Sequence, residues 1–325
     1  MTDLAIAAFA AETGQHVLEV PRTSRFAAFR RTFDEAAYRR LLADRGFRFV
    51  DRRGLPPLLA SIHDPPPGLF LRGDAPPELL AEPAVAVVGA RACSPYGSAV
   101  ARMLGRELAA VGLVVVSGLA RGVDGEAHRG ALEAGGRTVA VLGCGIDRDY
   151  PAVHRELAGR IAEAGLVVSE YAPGVEPAPW RFPARNRIVA GLCSATVVVE
   201  ARERSGALIT ADLALEEGRE VFACPGEITS SLSAGTNALL RLGATPLTRA
   251  ADVLESFGLV EREAPGVEGT PAVVLAALRD GPAGADELAR RLGLGAGELA
   301  AALAELELAG LAATEAGRYR AVRPM

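Results

Sequence analysis

The sequence predicts an α/β protein built on a parallel β-sheet, with a small helical unit before the sheet and a winged-helix unit after it. Short valine-rich runs alternate with helix-like segments between residues 84 and 257, which is the pattern of repeated βαβ units. Strands of a parallel sheet are buried on both faces and therefore appear as continuous apolar runs. Aromatic residues make up only 5% of the chain, so alanine, valine and leucine must build most of its core.

The first predicted unit covers residues 1–80. Residues 26–42 alternate arginine and glutamate with apolar residues and predict one amphipathic helix. Two proline clusters, at 56–67 and 76–83, then predict extended or turn structure that connects this helical unit to the sheet.

The second predicted unit covers residues 81–258 and contains the sheet. Its strands are predicted at the apolar runs 85–88, 113–116, 138–142, 166–168, 196–199 and 220–223. Helices are predicted between them at 99–111, 125–134, 154–164 and 207–217. This alternation predicts short crossover connections that place the carboxyl ends of all these strands at one edge of the sheet.

Residues 259–269 are polar, contain Pro265 and Gly266, and predict a linker. The third predicted unit covers residues 270–325. Helices are predicted at 272–278, 285–292 and 297–308, and a hairpin at 311–314 and 318–322. Three helices followed by a hairpin form the winged-helix pattern.

Composition excludes several classes of site. The chain has 325 residues, a net charge of −5 and no lysine, which rules out a lysine Schiff base and a P-loop lysine. Its four cysteines lack metal-ligand spacing and indicate reduced thiols in a cytoplasmic protein. No signal peptide, membrane span, metal site or cofactor is predicted. With a net negative chain, any nucleic-acid site must be a local basic patch.

Glycine, serine and arginine follow the predicted strands at one edge of the sheet. Glycine lets backbone N–H groups approach an anion, and arginine offers a planar fork of donors to a phosphate. Ordinary turn chemistry accounts for any single one of these glycines. Several such loops with arginines at one edge favour an anion site.

The segment at 180–187 concentrates three arginines, a tryptophan, a phenylalanine and Asn186, one of only two asparagines in the chain. Arginine matches phosphate geometry, and flat rings stack on bases. From this segment alone two interpretations stay open: a nucleic-acid site, or the start of a helix held by surface ion pairs.

Other candidate groups carry less weight. Glu170 and Glu200 follow strands directly and either form a general acid/base pair or, as we favour, cap helices and orient Arg185 and Arg187. His128 lies one turn after Asp124 and indicates an ordinary side-chain pair. Cys144 has no evident activating base and indicates an inert thiol.

Four motifs resemble those of the DNA-processing protein A family, also called DprA or Smf. They are VAVVGAR at 85–91, SGLARGVD at 117–124, FPARNRIVAGL at 182–192 and SGALITA at 205–211. The Gly235-Thr236-Asn237 turn and the Tyr150-Pro151 pair also fit the family. The resemblance extends over residues 51–251. It implies an extended Rossmann-like domain that binds single-stranded DNA without catalytic turnover. It also implies a homodimer that loads RecA recombinase onto incoming single-stranded DNA in natural transformation, with single-stranded-DNA-binding protein as a further candidate partner.

The resemblance implies that residues along the predicted edge of the sheet contact DNA. Phosphate contacts are expected from two groups, the arginines with Asn186, and residues that offer backbone or hydroxyl donors. Flat side chains are the candidates for base stacking. The expected site residues are Arg91, Arg121, Arg185, Asn186 and Arg187; Ser117, Gly118 and Gly145; and Trp180 and Phe182. Lysines that some members use for phosphate contact are absent here, so those contacts are either lost or made by arginine.

Two further expectations concern the winged-helix unit and the alternative function. The third helix of the winged-helix unit carries Glu298, Glu305 and Glu307 and no arginine, so it would repel DNA and predicts a protein contact. The alternative to a binding protein is a phosphoribohydrolase acting on nucleoside monophosphates. The nearest match to the glycine-rich motif of such enzymes starts at Ser205, but Leu213 occupies the position of the catalytic glutamate.

Overall fold

The computed structural model describes residues 3–15, 19–20, 24–259, 269–315 and 317–322. The chain forms two compact units, Met1–Gly258 and Leu259–Met325. Almost all of the predicted linker at 259–269 lies outside the described residues. Within the described residues no helix has both the length and the apolar character that crossing a membrane requires.

Three helices begin the first unit: α1 (Asp3–Thr13), α2 (Ser24–Thr32) and α3 (Glu35–Asp44). The single helix predicted over 26–42 is therefore wrong, because the chain breaks at Phe33 and Asp34. Asp34 has extended backbone angles, and its carboxylate accepts from the Ala37 N–H at 2.9 Å. Aspartate competes with helical hydrogen bonding inside a helix but stabilises the start of one.

Nine strands of the described chain form one sheet, in the order β1-β2-β6-β5-β4-β3-β7-β8-β9. All neighbours are parallel except the pairs β1–β2 and β2–β6. The strands are β1 (Phe47–Asp51), β2 (Gly68–Arg72), β3 (Ala84–Val88), β4 (Val114–Ser117), β5 (Thr138–Val141), β6 (Leu166–Ser169), β7 (Ala195–Val198), β8 (Glu220–Ala223) and β9 (Thr245–Pro246). The predicted α/β class with a parallel sheet is confirmed.

Helices cover both faces of this sheet. They are α4 (Pro57–Ala60), α5 (Pro95–Ala110), α6 (Val123–Glu133), α7 (Arg155–Ala164), α8 (Arg181–Gly191), α9 (Gly206–Glu216), α10 (Ala234–Arg241) and α11 (Ala250–Ser256). Side chains from α4, α8, α9 and α10 share one buried core with the sheet, and those from α1, α3 and α7 share another.

Strands β1 and β2 come from within the predicted N-terminal unit 1–80 but join the main sheet through β6. Phe49 and Phe70 are cross-strand partners whose ring centroids lie 4.8 Å apart. The boundary after residue 80 stays a prediction, since residues 47–72 contribute to the same sheet as the rest of the first unit.

The order of strands reverses at β3, which lies between β4 and β7. The chain moves from β3 through β4 and β5 to β6 in one direction, and α8 then returns it to β7 on the other side of β3. Ligands of open α/β sheets bind beyond the carboxyl ends of the strands at such a switch point.

The second unit contains α12 (Thr270–Arg279), α13 (Ala285–Leu292) and α14 (Ala296–Leu308), followed by β10 (Ala312–Glu315) and β11 (Arg318–Ala321). Gly293 ends α13 in the left-handed conformation, which makes the tight turn into α14. Leu278, Leu288 and Leu306 are among the leucines of a separate core. This arrangement of helices and hairpin confirms the winged-helix prediction.

His128 lies inside the first unit, where α6 packs on β5. Thr138 Oγ1 donates to the Val115 carbonyl at 2.6 Å, so it accepts from His128 Nδ1 at 2.7 Å. His128 Nε2 is buried without a hydrogen-bond partner among the described residues. Burial lowers the pKa of His128 to about 3, so the folded protein holds a neutral imidazole.

We expect His128 to make the protein less stable at mildly acidic pH. Between the folded pKa of about 3 and the ordinary value of about 6.5, the unfolded chain binds a proton that the folded chain does not. The free energy of unfolding should therefore fall as pH falls through this window, by up to about 1.4 kcal/mol per pH unit from this group. His128→Leu should show a shallower slope in denaturant titrations between pH 4 and 6.5; equal slopes in variant and parent would contradict this account.

Candidate functional site

A cleft of about 210 Å³ opens at the switch point of the sheet. It begins at the carboxyl end of β3 and is closed by α8 and the start of α9. Residues from four segments line it, including Val88, Gly89 and Arg91; Gly118, Ala120 and Asp124; Phe182, Pro183, Arg185 and Asn186; and Ser205, Gly206, Ala207 and Thr210. The start of α9 adds partial positive charge to one wall because a helix N-terminus exposes unpaired N–H groups.

Arg185 forms the buried part of this cleft, with only 4% of the residue exposed. Its Nη1 donates to the Gly118 carbonyl at 2.8 Å and to the Val141 carbonyl, which joins α8 to the ends of β4 and β5. Burial lowers the pKa of Arg185, while the nearby Asp124 carboxylate raises it. Arg185 therefore acts first as an internal cation that fixes α8 on the sheet.

Asp124 and Gly118 complete this buried arrangement. The Asp124 carboxylate accepts from the N–H groups of Gly118 and Ala120 at 3.1 and 3.3 Å. Burial raises the pKa of Asp124, and Arg185 opposes that shift. A Cβ atom at position 118 would overlap Arg185 Nη2 and lie 2.7 Å from Asp124 Oδ2. Position 118 thus requires glycine because the carboxylate and the guanidinium both press against it.

Arg187 makes a two-point ion pair with Glu170 at the end of β6. Its Nη1 and Nη2 donate to the two Glu170 oxygens at 2.8 and 2.7 Å, and the Glu170 side chain is 0% exposed. Arg187 Nε also donates to the Asp64 carbonyl in the proline-rich segment. The expectation that Glu170 orients Arg187 is confirmed.

Asn186 and Glu200 hold the neighbouring helices. The Asn186 amide donates to the Gly206 carbonyl at 3.1 Å and so joins α8 to the start of α9. Glu200 accepts from the Ser94 N–H at 2.8 Å and from its hydroxyl at 2.5 Å, which holds the residue that caps α5. The expectation that Glu200 supports a helix end is confirmed.

The donors expected from Ser117, Gly118 and Gly145 are bonded inside the protein. Ser117 Oγ donates to the Val87 carbonyl at 2.6 Å, and the Gly145 N–H donates to the Val175 carbonyl at 2.8 Å. Buried donors are almost always paired in this way. Direct phosphate contact by these residues, and by Arg185 and Arg187, stays a prediction that would require their internal bonds to be exchanged.

Arg91 and Arg121 remain exposed on two loops that touch each other. The Val123 N–H donates to the Ala90 carbonyl, and a Cβ at Gly122 would overlap the same oxygen. No ion pair involves either arginine within the described part of the chain. Both guanidinium groups are therefore available to an anion at this edge.

Two further exposed arginines, Arg202 and Arg204, lie in the loop between β7 and α9. Neither has an ion-pair partner among the described residues, and Ser205 of the same loop lines the cleft. Our sequence reasoning missed both. The signal was present, because two arginines directly follow a predicted strand at the same edge of the sheet.

Trp180 and Phe182 lie at the start of α8. Trp180 is 44% exposed, with the Arg181 guanidinium carbon 4.9 Å from its ring centroid. Phe182 lines the cleft and lies between two neighbours: Arg91, at 5.3 Å, and Tyr150, whose ring is stacked at 5.2 Å. The structure thus brings together Arg91 of one loop, Phe182 at the start of α8 and Tyr150 of a second loop.

Comparison with known proteins identifies, along most of the chain, the same family that the sequence motifs resemble. The family model of DNA recombination-mediator protein A matches residues 47–258, and that of the DprA winged helix domain matches residues 261–318. The chain is 48% identical to DNA processing protein DprA of Streptococcus pneumoniae over 199 residues, which are 61% of this chain and 70% of that protein. It is 39% identical to protein Smf of Escherichia coli over 288 residues, covering 84% and 76% of the two chains.

Two solved structures share this architecture. DNA processing protein A from Streptococcus pneumoniae superposes with a TM-score of 0.66 and 39% identity, covering 78% of this chain and 92% of that one. DNA processing protein A from Helicobacter pylori superposes with a TM-score of 0.59 and 32% identity, covering 65% of this chain and 95% of that one. The structure of that protein is described as showing a unique single-stranded DNA binding mode.

We expect Arg187→Ala to destabilise the fold strongly, by about 3–5 kcal/mol, because it leaves the Glu170 carboxylate buried without its partner. Denaturant titration measures this change. Arg102→Ala is the matched control, since it breaks an exposed pair with Glu133 and should cost less than about 1 kcal/mol. Equal losses in the two variants would show that burial does not set the importance of the Arg187 pair.

Proposed function

The chain belongs to the DNA recombination-mediator protein A family, and from this premise we propose that it binds single-stranded DNA along the edge of the sheet where the cleft opens. One observation carries the proposal: the exposed guanidinium groups of Arg91 and Arg121, which have no ion-pair partner in the described part of the chain, lie on adjoining loops beside the cleft. The Helicobacter pylori relative, described by its single-stranded DNA binding mode, supports it.

The charge distribution favours a local site. The whole chain carries a net charge of −5, so only a patch where arginines lack carboxylate partners can attract a polyanion. Arg202 and Arg204 are exposed on the loop that leads to Ser205 in the wall of the cleft, so they add to such a patch. We propose that these four exposed arginines contact DNA phosphates, with the helix N-terminus at Gly206 contributing from the wall of the cleft.

In this proposal the buried residues of the site mainly hold the elements around the cleft in place. Arg185 lines the cleft and can offer an unshared part of its guanidinium to a phosphate that enters, while its bonds to the Gly118 and Val141 carbonyls hold it in place. Asn186 and Arg187 fix α8, and Ser117 and Gly145 shape the loops that carry the site. Their direct contact with DNA is part of the prediction from the family.

We further propose that the protein loads RecA recombinase onto incoming single-stranded DNA in natural transformation. The description of the family as recombination mediators supports this role. Single-stranded-DNA-binding protein is a candidate partner because it competes for the same ligand. Cytoplasmic location belongs to the same proposal, since RecA acts there.

A homodimer is the assembly that we propose, with contact at the β9 edge of the sheet. Leu242, between α10 and β9, is 84% exposed, and β9 itself is an exposed strand at the end of the sheet. A shallow cavity of about 410 Å³ lies beside it, lined in part by Leu215 and Gly243. An open edge with large apolar side chains is the kind of surface that a second chain covers.

The winged-helix unit is proposed to bind protein rather than duplex DNA. On α14 the side chains of Glu298, Glu305 and Glu307 are acidic groups on the helix that would enter the major groove, where they would repel phosphates. Two of the three glutamates accept from threonines of their own unit, Thr270 and Thr314.

We expect Arg121→Ala to weaken binding of an oligothymidine and to reduce the steepness of its salt dependence, by roughly 0.7 in the slope of log K against log salt if the substitution removes one phosphate contact. Fluorescence anisotropy across a salt series measures both quantities. RecA loading should fall in parallel with binding. Arg160→Ala is the control, because this exposed arginine interacts with Glu133 at the end of α6 that points away from the cleft. Parent-like binding by Arg121→Ala would remove this loop from the site.

We expect Leu242→Arg to convert a dimer into a monomer, because it places a charge in an apolar contact. Light scattering or sedimentation measures the mass. Leu308→Arg changes an equally exposed leucine in the other unit and should leave the dimer intact. A Leu242→Arg protein that stays dimeric would place the contact elsewhere.

A further inference from the structure

Three side chains, two from separate loops and one from the start of α8, form a stacked column at the mouth of the cleft. The Arg91 guanidinium carbon lies 5.3 Å from the centroid of the Phe182 ring, and the Tyr150 ring centroid lies 5.2 Å from it at an interplanar angle of 27°. Arg91 and Phe182 line the cleft, whereas Tyr150 does not. We call these three residues the aromatic column; it starts at the cleft and ends at Tyr150.

Phe182 itself has little ring surface left for a base. Its neighbours Arg91 and Tyr150 occupy its surroundings, and a Cβ at Gly143 would lie 2.8 Å from its Cδ1. Phe182 is therefore enclosed on several sides and acts as the middle of the column. The stacking that the sequence assigned to Phe182 needs another ring to perform it.

Tyr150 offers that ring. It is 42% exposed, although one of its faces rests on Phe182. Stacking on Phe182 fixes the orientation of the Tyr150 ring, so its other face needs no partner within the protein. Flat aromatic faces held in this way bind bases of any type. Trp180 differs, because the Arg181 guanidinium already lies over its ring.

Acidic residues surround Tyr150, but their charges are compensated. Asp147 accepts from Arg45 at 3.0 Å and from the Gly174 N–H at 2.8 Å, and Asp149 pairs with Arg72 at 2.8 Å. These pairs remove most of the repulsion that a nearby phosphate would meet. The loop therefore permits an anionic strand to pass beside the ring.

We propose that the outer face of Tyr150 is a second subsite, which stacks a base of single-stranded DNA next to the nucleotide whose phosphate occupies the cleft. The strand then leaves the cleft along the aromatic column toward the loop between β5 and α7. This inference rests on the proposed function, because it assumes that the strand reaches the cleft. It assigns the base contact to a residue that was not among the site residues expected from the sequence.

Tyr150→Ala should weaken binding of an oligothymidine roughly 5- to 100-fold, the range for one base stacked on an aromatic side chain. Its salt slope should equal that of the parent, because stacking releases no counterion. Tyr150→Phe keeps the ring and should bind within about twofold of the parent. Tyr150→Leu covers Phe182 with apolar bulk but has no flat face, so it should bind like Tyr150→Ala and serves where alanine disturbs the fold.

An oligothymidine with a single abasic position locates the stacked base. For the parent protein one position should weaken binding most, and Tyr150→Ala should lose less than the parent from that change. Trp180 is the only tryptophan of the chain, so its emission reports binding without a label.

The outcomes separate the subsite from the proposed function. If Tyr150→Ala and Tyr150→Leu bind like the parent while Arg121→Ala binds less, the DNA site stands and the Tyr150 subsite is wrong. If Tyr150→Phe loses as much as Tyr150→Ala, the hydroxyl rather than the ring makes the contact and stacking is overturned. If the parent shows no binding of single-stranded DNA, the proposed function fails and the subsite fails with it.

Discussion

The buried guanidinium of Arg185 is the interaction on which the site depends. A charge taken out of water is costly unless hydrogen bonds and an opposite charge replace the water around it. Here the carbonyls of Gly118 and Val141 and the carboxylate of Asp124 do so, and they come from the ends of β4 and β5 and from α6. These bonds fix the N-terminal half of α8 against the ends of β4 and β5.

The residues around Arg185 in the sequence follow from that placement. Phe182 lies three positions earlier and so faces the same side of the helix, toward Arg91 and Tyr150. Asn186 reaches the start of α9, and Arg187 reaches Glu170 at the end of β6. The Arg-Asn-Arg triplet thus joins α8 to the start of α9 and to the ends of β4, β5 and β6. Because these bonds fix α8 beforehand, exposed residues beside it would not lose conformational freedom when a ligand binds.

The sequence predicted the sheet well because its evidence was local. Valine-rich runs and intervening helices identify parallel strands one by one, and strand order then places the loops at one edge. The sequence did not predict features that depend on residues far apart in the chain. The pairing of β2 with β6 joins residues about 100 positions apart, and no periodicity in residues 47–72 signals it. The break at Asp34 was a capping signal that the apolar pattern of 26–42 obscured.

The position of the candidate site could be predicted from the sequence. Which of its residues are buried and which are exposed could not. Motif spacing placed Arg91, Arg121, Arg185 and Arg187 at one edge, and the structure has them on loops and a helix at that edge. Spacing alone cannot show which guanidinium groups are buried, since burial depends on partners such as Glu170 that precede α8 by more than ten residues. The contact between Tyr150 and Phe182 was equally hidden, because it joins a loop residue to a residue of α8 that lies 32 positions later.

In the proposed binding mode, two kinds of contact with different physical character meet at the cleft. Arginine–phosphate contacts weaken as salt rises, since each one releases counterions, whereas a stacked base contributes nearly the same free energy at any ionic strength. On a chain with a net charge of −5, attraction from the protein as a whole is absent. The exposed arginines must then supply the initial capture over short distances. In the same proposal, the ring of Tyr150 beside them retains the strand once it has arrived, and it does so for any base sequence because every base has a flat face.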